Sequence, residues 1–293
     1  MKSGFISIIG RPNVGKSTLL NAILGEKIAI ATDKPQTTRN TIRGIYTTDE
    51  MQLVFIDTPG IHKPRTKLGT FMTESATNTF NEVDAILFLV DDSIKAGPGD
   101  KYIVEMLKNV ETKKYLVINK IDKLGPIKYK EIYDEYDELS IFDGIFGISA
   151  RENKNVDEII TKLEEIMPEG PQYFPADMVT DHPERFIVSE ILREKVLLYL
   201  NDEVPHGVAI EIESFEEEPN ITRIGAVIYC ERKSHKGIII GKGGRKLKGI
   251  GKSAREEMEA LLGTKVFLQL WVKIKENWRD SDFALSNFGY KEK

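Results

Sequence analysis

Eight residues constrain this chain more than any others. Gly10-Arg11-Pro12-Asn13-Val14-Gly15-Lys16-Ser17 fits the pattern G-x-x-x-x-G-K-[ST], with Thr18 directly after it. An apolar run, residues 5–9, leads into it, and a helical pattern over residues 16–24 leads out. Strand, glycine loop, helix is the context in which such a loop wraps phosphate. The glycines let the backbone close around an anion while its N–H groups point inward at a helix N-terminus. Lys16 is then placed to reach the β- and γ-phosphates of a nucleotide, and Ser17 to offer a hydroxyl to Mg2+.

The loop commits the chain to alternating strands and helices, and the following residues keep to that plan. Near-continuous apolar runs at 5–9, 53–56, 85–90, 115–118 and 145–148 read as strands covered on both faces. Helical patterns near 16–24, 98–109, 127–138 and 155–166 separate them. The predicted fold is α/β, a P-loop domain with a mainly parallel sheet over residues 1–167. Pro168, Pro171, Pro175 and Pro183 then crowd one stretch, which predicts a linker over 168–183. A helix at 184–200, strands near 207–213 and 223–230, a short helix, a helix at 245–262 and a strand at 264–274 give the order α-β-β-α-α-β. This is a smaller α+β domain over 184–274, followed by a tail over 275–293.

Further motifs stand at the ends of the first domain's strands. Asp57-Thr58-Pro59-Gly60 closes one of them: a carboxylate there holds Mg2+, and the Gly60 N–H is presented to a γ-phosphate. DTPG alone is only a turn signal; its place after a buried strand and downstream of the glycine loop gives it weight. Asn119-Lys120-Ile121-Asp122 closes another strand. The Asp122 carboxylate suits the N1–H and N2–H2 donors of guanine and would be left unpaired against adenine, at a cost of a few kcal/mol. Ser149-Ala150-Arg151 ends the last strand, with the Ala150 N–H expected to meet guanine O6. In the loop Asp33-Lys34-Pro35-Gln36-Thr37-Thr38-Arg39, either threonine suits a Mg2+ ligand, and Thr38 is preferred. The loops at 31–43 and 58–70 are those expected to respond to the γ-phosphate.

Together these pieces resemble the sequence motifs of the translation-factor-related GTPases. The resemblance covers residues 1 to about 167 and implies that GTP and GDP are the ligands. One departure is Ile61, counted with Asp57 to Gly60 among the nucleotide-binding residues, which stands where Ras-like enzymes carry a water-orienting glutamine. Isoleucine makes no hydrogen bond to that water, so turnover must use another device. The resemblance points to Asn13, which in related enzymes helps to hold K+ beside the phosphates. It gives Lys16, Asn13, Thr38 and Gly60 as the catalytic set.

The net charge of −5 conceals two unlike halves. Residues 1–220 carry 25 Lys and Arg against 38 Asp and Glu, whereas residues 221–293 carry 16 against 8. From Arg232 to Lys252 there are eight basic residues and no acidic one. Within this stretch lies Ile240-Gly241-Lys242-Gly243-Gly244-Arg245, with Lys246 and Lys248 beyond. Leu247, Ile250, Ala254, Met258 and Leu261 follow at helical spacing as one apolar face. A lone GxxG is a helix–helix turn with solubilising lysines. Flanked by isoleucines and set in this element order, it resembles a type II KH domain, whose GxxG loop clamps about four single-stranded nucleotides.

A GTPase of this kind joined to a type II KH domain resembles the bacterial ribosome-assembly GTPases over nearly the whole chain, including Trp271–Trp278. That resemblance implies binding of 16S rRNA near its 3′ end and a role in assembly of the small (30S) ribosomal subunit. DNA is not an implied partner. It also implies a cytoplasmic protein with peripheral contact to the inner membrane. The lone cysteine, Cys230, fits a reducing compartment and reads as a buried thiol in a strand. No apolar run approaches the ~20 residues that span a bilayer. Two competing functions are weaker. A degenerate GTPase core conflicts with intact Lys16, Ser17, Asp57 and Asp122, and an RNA-modifying enzyme lacks a catalytic constellation in the C-terminal part, where His206 and His235 are scattered.

Overall fold

The computed structural model describes residues 1–34, 36–93, 95–200 and 204–290. Pro35 of the threonine loop and residues 291–293 of the expected tail lie outside the described residues. The chain clusters into two units that meet at Asp181 and His182, with residues 32–37 and 66–68 grouped with the second.

The first unit is built on a sheet of six strands. These are β1 (Lys2–Gly10), β2 (Ile42–Thr47), β3 (Met51–Asp57), β4 (Ala85–Val90), β5 (Lys113–Ile118) and β6 (Gly144–Gly147), in the order β2-β3-β1-β4-β5-β6. Only β2 runs antiparallel, against β3. Every residue of β4 is buried, as a central strand covered on both faces must be. Helices α1 (Lys16–Leu24), α2 (Lys67–Thr77), α3 (Pro98–Leu107) and α4 (Pro126–Asp137) join the strands, and α5 (Val156–Ile166) follows β6. Two elements escape the apolar-run pattern. β2 alternates too weakly, with Arg43 exposed and Gly44 in its middle. Helix α2 begins inside the segment expected to be loop to residue 70.

β1 lies between β3 and β4, so chain connections leave it in opposite directions. Such a switch point opens a crevice at the carboxyl ends of the strands. Gly10, Asp57, Asn119 and Ser149 stand at or just beyond the carboxyl ends of β1, β3, β5 and β6.

The proline-rich stretch is tied to the first unit as far as Asp181. Gln52 is wholly buried. Its side chain accepts from the N–H groups of Tyr173 and Phe174, at 2.7 and 2.9 Å, and donates to the Phe174 carbonyl at 2.9 Å. The Ile45 N–H donates to the Val179 carbonyl at 2.9 Å, and Arg43 pairs with Asp181 at 2.7 Å.

The second unit follows the order α6 (Glu184–Tyr199), β7 (Ala209–Glu218), β8 (Ile221–Cys230), α7 (Lys233–Ile240), α8 (Arg245–Leu262), β9 (Lys265–Ile274). β7 and β8 are antiparallel, and β8 and β9 parallel. Its core joins Val188 and Leu192 of α6, Ile224 and Ile228 of β8, and Ile250, Ala254 and Met258 of α8. Cys230 is buried in the same core, and desolvation pushes its thiol pKa up. Leu261 does not complete the α8 face: it is exposed, and Leu262 packs instead.

The tail is a structured part of this unit. A short helix, α9 (Asp282–Asn287), returns the chain against the sheet. Trp278 is wholly buried, donates its indole N–H to the Gly207 carbonyl at 2.9 Å and meets Phe288 edge-on, with centroids 5.3 Å apart. Phe288 in turn lies 5.0 Å from the ring of Tyr229. No helix among the described residues is long and apolar enough to cross a membrane.

Candidate functional site

The phosphate loop is drawn tight by its own lysine. Lys16 Nζ donates to the Arg11 carbonyl at 2.9 Å and to the Gly10 carbonyl at 3.3 Å, beneath a surface that leaves the residue 6% exposed. Desolvation pulls its pKa down to about 8, against the raising influence of Asp57. Gly15 adopts φ 103°, a conformation that favours glycine. A Cβ there would lie 2.2 Å from Asn119 Nδ2, so side-chain bulk is excluded from the point where the phosphate and base loops meet. A Cβ on Gly60 would likewise come within 2.7 Å of Pro12, so the DTPG turn abuts the phosphate loop backbone to backbone.

Beside Lys16 the structure gathers a set of hard oxygen atoms. Ser17 Oγ donates to Asp57 Oδ2 at 2.6 Å and lies 2.8 Å from Thr38 Oγ1, which is itself 3.5 Å from that carboxylate oxygen. Thr37 turns away: its hydroxyl donates to the Lys34 carbonyl and contacts Thr32 Oγ1, both at 2.6 Å. Asp57 Oδ1 is buried and has no hydrogen-bond partner among the described residues. Burial pushes the Asp57 carboxyl up to about 6, while Lys16, Ser17 and Thr38 hold it down. A buried carboxylate with one oxygen unsatisfied and two hydroxyls within reach fits Mg2+, which favours oxygen ligands and retains waters. Ser17, Thr38 and Asp57 are the residues that would hold it.

Two neighbours are placed differently from their motif positions. The Thr58 hydroxyl donates to the Ile8 carbonyl at 2.8 Å, so it braces β1. Ile61 is wholly buried in the apolar cluster that contains Ile9, Phe80 and Phe88, and its N–H donates to the Gly10 carbonyl at 3.0 Å. In this structure both brace the turn, Thr58 through its hydroxyl and Ile61 through its N–H and its packing.

At the other end of the crevice, Asn119 bridges two loops. Its Nδ2 donates to the Val14 carbonyl at 2.8 Å, and its Oδ1 accepts from the Ala150 N–H at 3.0 Å. That N–H, expected to face a base, is here bonded to Asn119. Lys120 takes φ 65° and donates to the Asn13 carbonyl at 3.0 Å. Asp122 Oδ1 accepts from Ser149 Oγ at 2.7 Å. Arg151 follows on the exposed side, while Val14 is wholly buried and Thr18 lies in the first turn of α1. Phosphate loop, oxygen cluster and Asp122 thus line one crevice, with groups suited to phosphate, Mg2+ and a purine edge.

In the second unit, α7 ends at Ile240, and Gly241, Gly243 and Gly244 all take positive φ, at 72, 61 and 74°. Among the described residues, neither Gly243 nor Gly244 has a neighbour within 4 Å of where a Cβ would stand, which leaves the turn open. Lys242, Arg245 and Lys248 are exposed around it, and Lys246 is half-buried against Gly241. A groove of about 760 Å³ continues from Gly244 along α8 and β9, with Leu247, Leu268 and Leu270 among its walls and Lys252 and Arg255 on its rim. Sequence spacing singled out the turn and its first cations. Missing from that reading were Lys252, Arg255 and the β9 leucines, which join the groove only through tertiary packing.

Comparison with known proteins agrees with both halves. A family model described as 50S ribosome-binding GTPase matches residues 5–120, and a KH domain model matches residues 203–279. GTPase Era of Clostridioides difficile is 59% identical, over 100% of this chain and 99% of that one. GTPase Era of Alkaliphilus metalliredigens is 57% identical over 99% of each. A crystal structure of Era in complex with MgGDPNP and nucleotides 1506–1542 of 16S ribosomal RNA superposes with a TM-score of 0.95, at 40% identity over 99% of each chain. A single-residue variant of Aquifex aeolicus Era bound to GDP·AlF4− gives 0.94, also at 40% identity over 99% of each chain.

Proposed function

This chain belongs to the Era family of GTPases, and we propose that it is a nucleotide-governed RNA-binding factor for assembly of the small (30S) ribosomal subunit. The observation that carries this reading is the joining of two built sites in one chain: a crevice with Lys16, Ser17, Thr38, Asp57 and Asp122, and an open GxxG turn beside a basic groove. The proposed RNA is the 3′ region of 16S rRNA, the RNA held in the solved Era complex.

In the nucleotide site the glycine loop, Gly10 to Ser17 with Thr18, cradles the phosphates through its N–H groups. Lys16 leaves its two carbonyl partners for the β- and γ-phosphates, where its charge offsets that gathering in the transition state. Ser17, Thr38 and Asp57 would hold Mg2+, which would supply positive charge to offset the negative charge of the phosphates. Gly60 offers its N–H to the γ-phosphate, and Asp122 selects guanine, with Asn119, Lys120, Ser149, Ala150 and Arg151 shaping the base pocket.

Ile61 is packed in the core and takes no part in orienting water, so hydrolysis is slow and relies on another group. Asn13, exposed at φ 67° in the phosphate loop, is the residue proposed to hold K+ beside the phosphates. Replacing K+ by Na+ should slow turnover; an unchanged rate removes Asn13 from that role.

RNA phosphates pass over Gly241–Gly244 beside Lys242, Arg245, Lys246 and Lys248, with Ile240 anchoring the turn from below. The proposed location is cytoplasmic, with peripheral contact to the inner membrane resting on family resemblance. Crosslinking the protein to RNA in cells tests the whole reading. Recovered fragments should centre on the 3′ end of 16S rRNA, and fragments spread without preference would refute the assignment.

A further inference from the structure

Arg11 is held in a way that the nucleotide motif does not require. Its Nε donates to Asp100 Oδ1 at 2.6 Å, and a terminal nitrogen donates to Asp91 Oδ1 at 3.1 Å. Asp100 is 1% exposed, in the first turn of α3. Its other oxygen, Oδ2, accepts from the Gly97 N–H at 3.1 Å. Both oxygens of a buried carboxylate are therefore committed as acceptors, one to the helix start and one to the phosphate loop. Asp91, at the end of β4, also lies 3.8 Å from Lys120 Nζ, the group that donates to the Asn13 carbonyl. Residues 11 and 13 are thus gripped from two sides, and the carbonyl that accepts from Lys16 belongs to Arg11 itself.

Space is kept for this arrangement. A Cβ on Gly99 would stand 2.6 Å from Arg11 Cδ. Gly99 lies in the first turn of α3, where glycine is a poor helix former and alanine a good one. Local helix stability is forgone at the point where the Arg11 side chain must pass.

We propose that Asp100 is a positioning residue for the phosphate loop, acting through Arg11, and that it sets how tightly guanine nucleotide is held without entering the chemistry. This rests on the nucleotide reading above. A loop fixed in its phosphate-binding shape favours ground state and transition state alike, so its loss appears in binding and in KM but not in kcat.

Two substitutions break the same contact by unrelated means. In Asp100→Asn, the amide must turn a donor toward either Arg11 Nε or the Gly97 N–H. Gly99→Ala leaves every charge in place and displaces the Arg11 side chain sterically, while favouring the helix. Release of fluorescently labelled GDP is measured by stopped flow, with steady-state GTP hydrolysis and the thermal midpoint alongside. The clamp predicts GDP release and KM for GTP raised about tenfold in both variants, the scale of one charge-assisted hydrogen bond. It predicts kcat within about twofold, and a thermal midpoint for Gly99→Ala at or above that of the parent. GDP release at the parent rate in Gly99→Ala overturns the proposal, as does a kcat that falls in step with a lowered midpoint. A parent protein that does not hold labelled GDP would instead sink the nucleotide reading itself, which separates the two failures.

Discussion

Asp57→Asn should make the nucleotide-free protein more stable while removing its response to Mg2+. Burial raises the Asp57 carboxyl from its ordinary 3.8 to about 6. At roughly 1.4 kcal/mol for each pH unit, the ionised form costs the folded state about 3 kcal/mol at neutral pH. An amide does not carry that cost. Part of the gain is lost, because Lys16 is buried too and Asp57 is the neighbour that favours its charged form. A net gain of about 1–2 kcal/mol remains, which for a unit of this size raises the thermal midpoint by about 2–8 °C.

The effect has a defined pH window. The folded carboxyl binds its proton more tightly than the unfolded one, so the parent loses stability as pH rises from about 4 through about 6. The variant does not titrate there. The gap between them should be full above pH ~6 and close toward pH ~4. Thermal unfolding in chelator-containing buffer across this range is the assay. Adding Mg2+ and GDP should reverse the order, since ligand stabilises only the form that binds it. A variant less stable than the parent at neutral pH, with a gap independent of pH, would refute this reasoning.

Other outcomes follow from the same geometry. Asp122→Asn exchanges one acceptor for a donor and should weaken GDP by about 1–3 kcal/mol, read by calorimetry; in the parent, equal affinity for GDP and ADP would contradict its role. Ile61→Ala empties a fully buried position and should lower stability by about 2–5 kcal/mol. Its turnover at saturating GTP should nonetheless stay far above that of Lys16→Ala, and equal losses would show that residue 61 acts in the chemistry. Replacing Lys242 and Gly243 together by Asp should abolish single-stranded RNA binding while sparing GTP hydrolysis measured without RNA. Undiminished RNA affinity would move the contact elsewhere on the basic surface.

The parts of the fold legible in the sequence are those in which one residue type has one physical use. The buried strands around β1 and β4 read as apolar runs because helices cover both faces. Lys16, Ser17 and Asp57 read as a site because the ends of β1 and β3 deliver them to one place: Ser17 bonds to Asp57, and the Asp57 carboxylate favours the charged form of Lys16. Adjacent Thr37 and Thr38 look alike in sequence; the fold separates them by turning the Thr38 hydroxyl toward Ser17 and that of Thr37 toward the Lys34 carbonyl. Illegible parts depend on distant partners. Nothing near Arg11 announces Asp100, 89 positions away. Prolines predict extended chain at 168–183, but not the buried Gln52 that ties its first part to the first unit. The tail looked like an appendage because its anchor, Trp278, finds its acceptor 71 residues earlier.

Under the proposed function, nucleotide state governs RNA binding, with the loops carrying Thr38 and Gly60 responding to the γ-phosphate. Affinity for single-stranded RNA from the 3′ end of 16S rRNA, measured at fixed salt with GDP and with a non-hydrolysable GTP analogue, tests it most directly. Coupling of about 1–3 kcal/mol predicts RNA binding roughly 5–150-fold tighter with the GTP analogue, and reciprocally tighter binding of the analogue in the presence of RNA. Identical RNA affinities in the two nucleotide states would contradict the claim and leave two sites that merely share a chain.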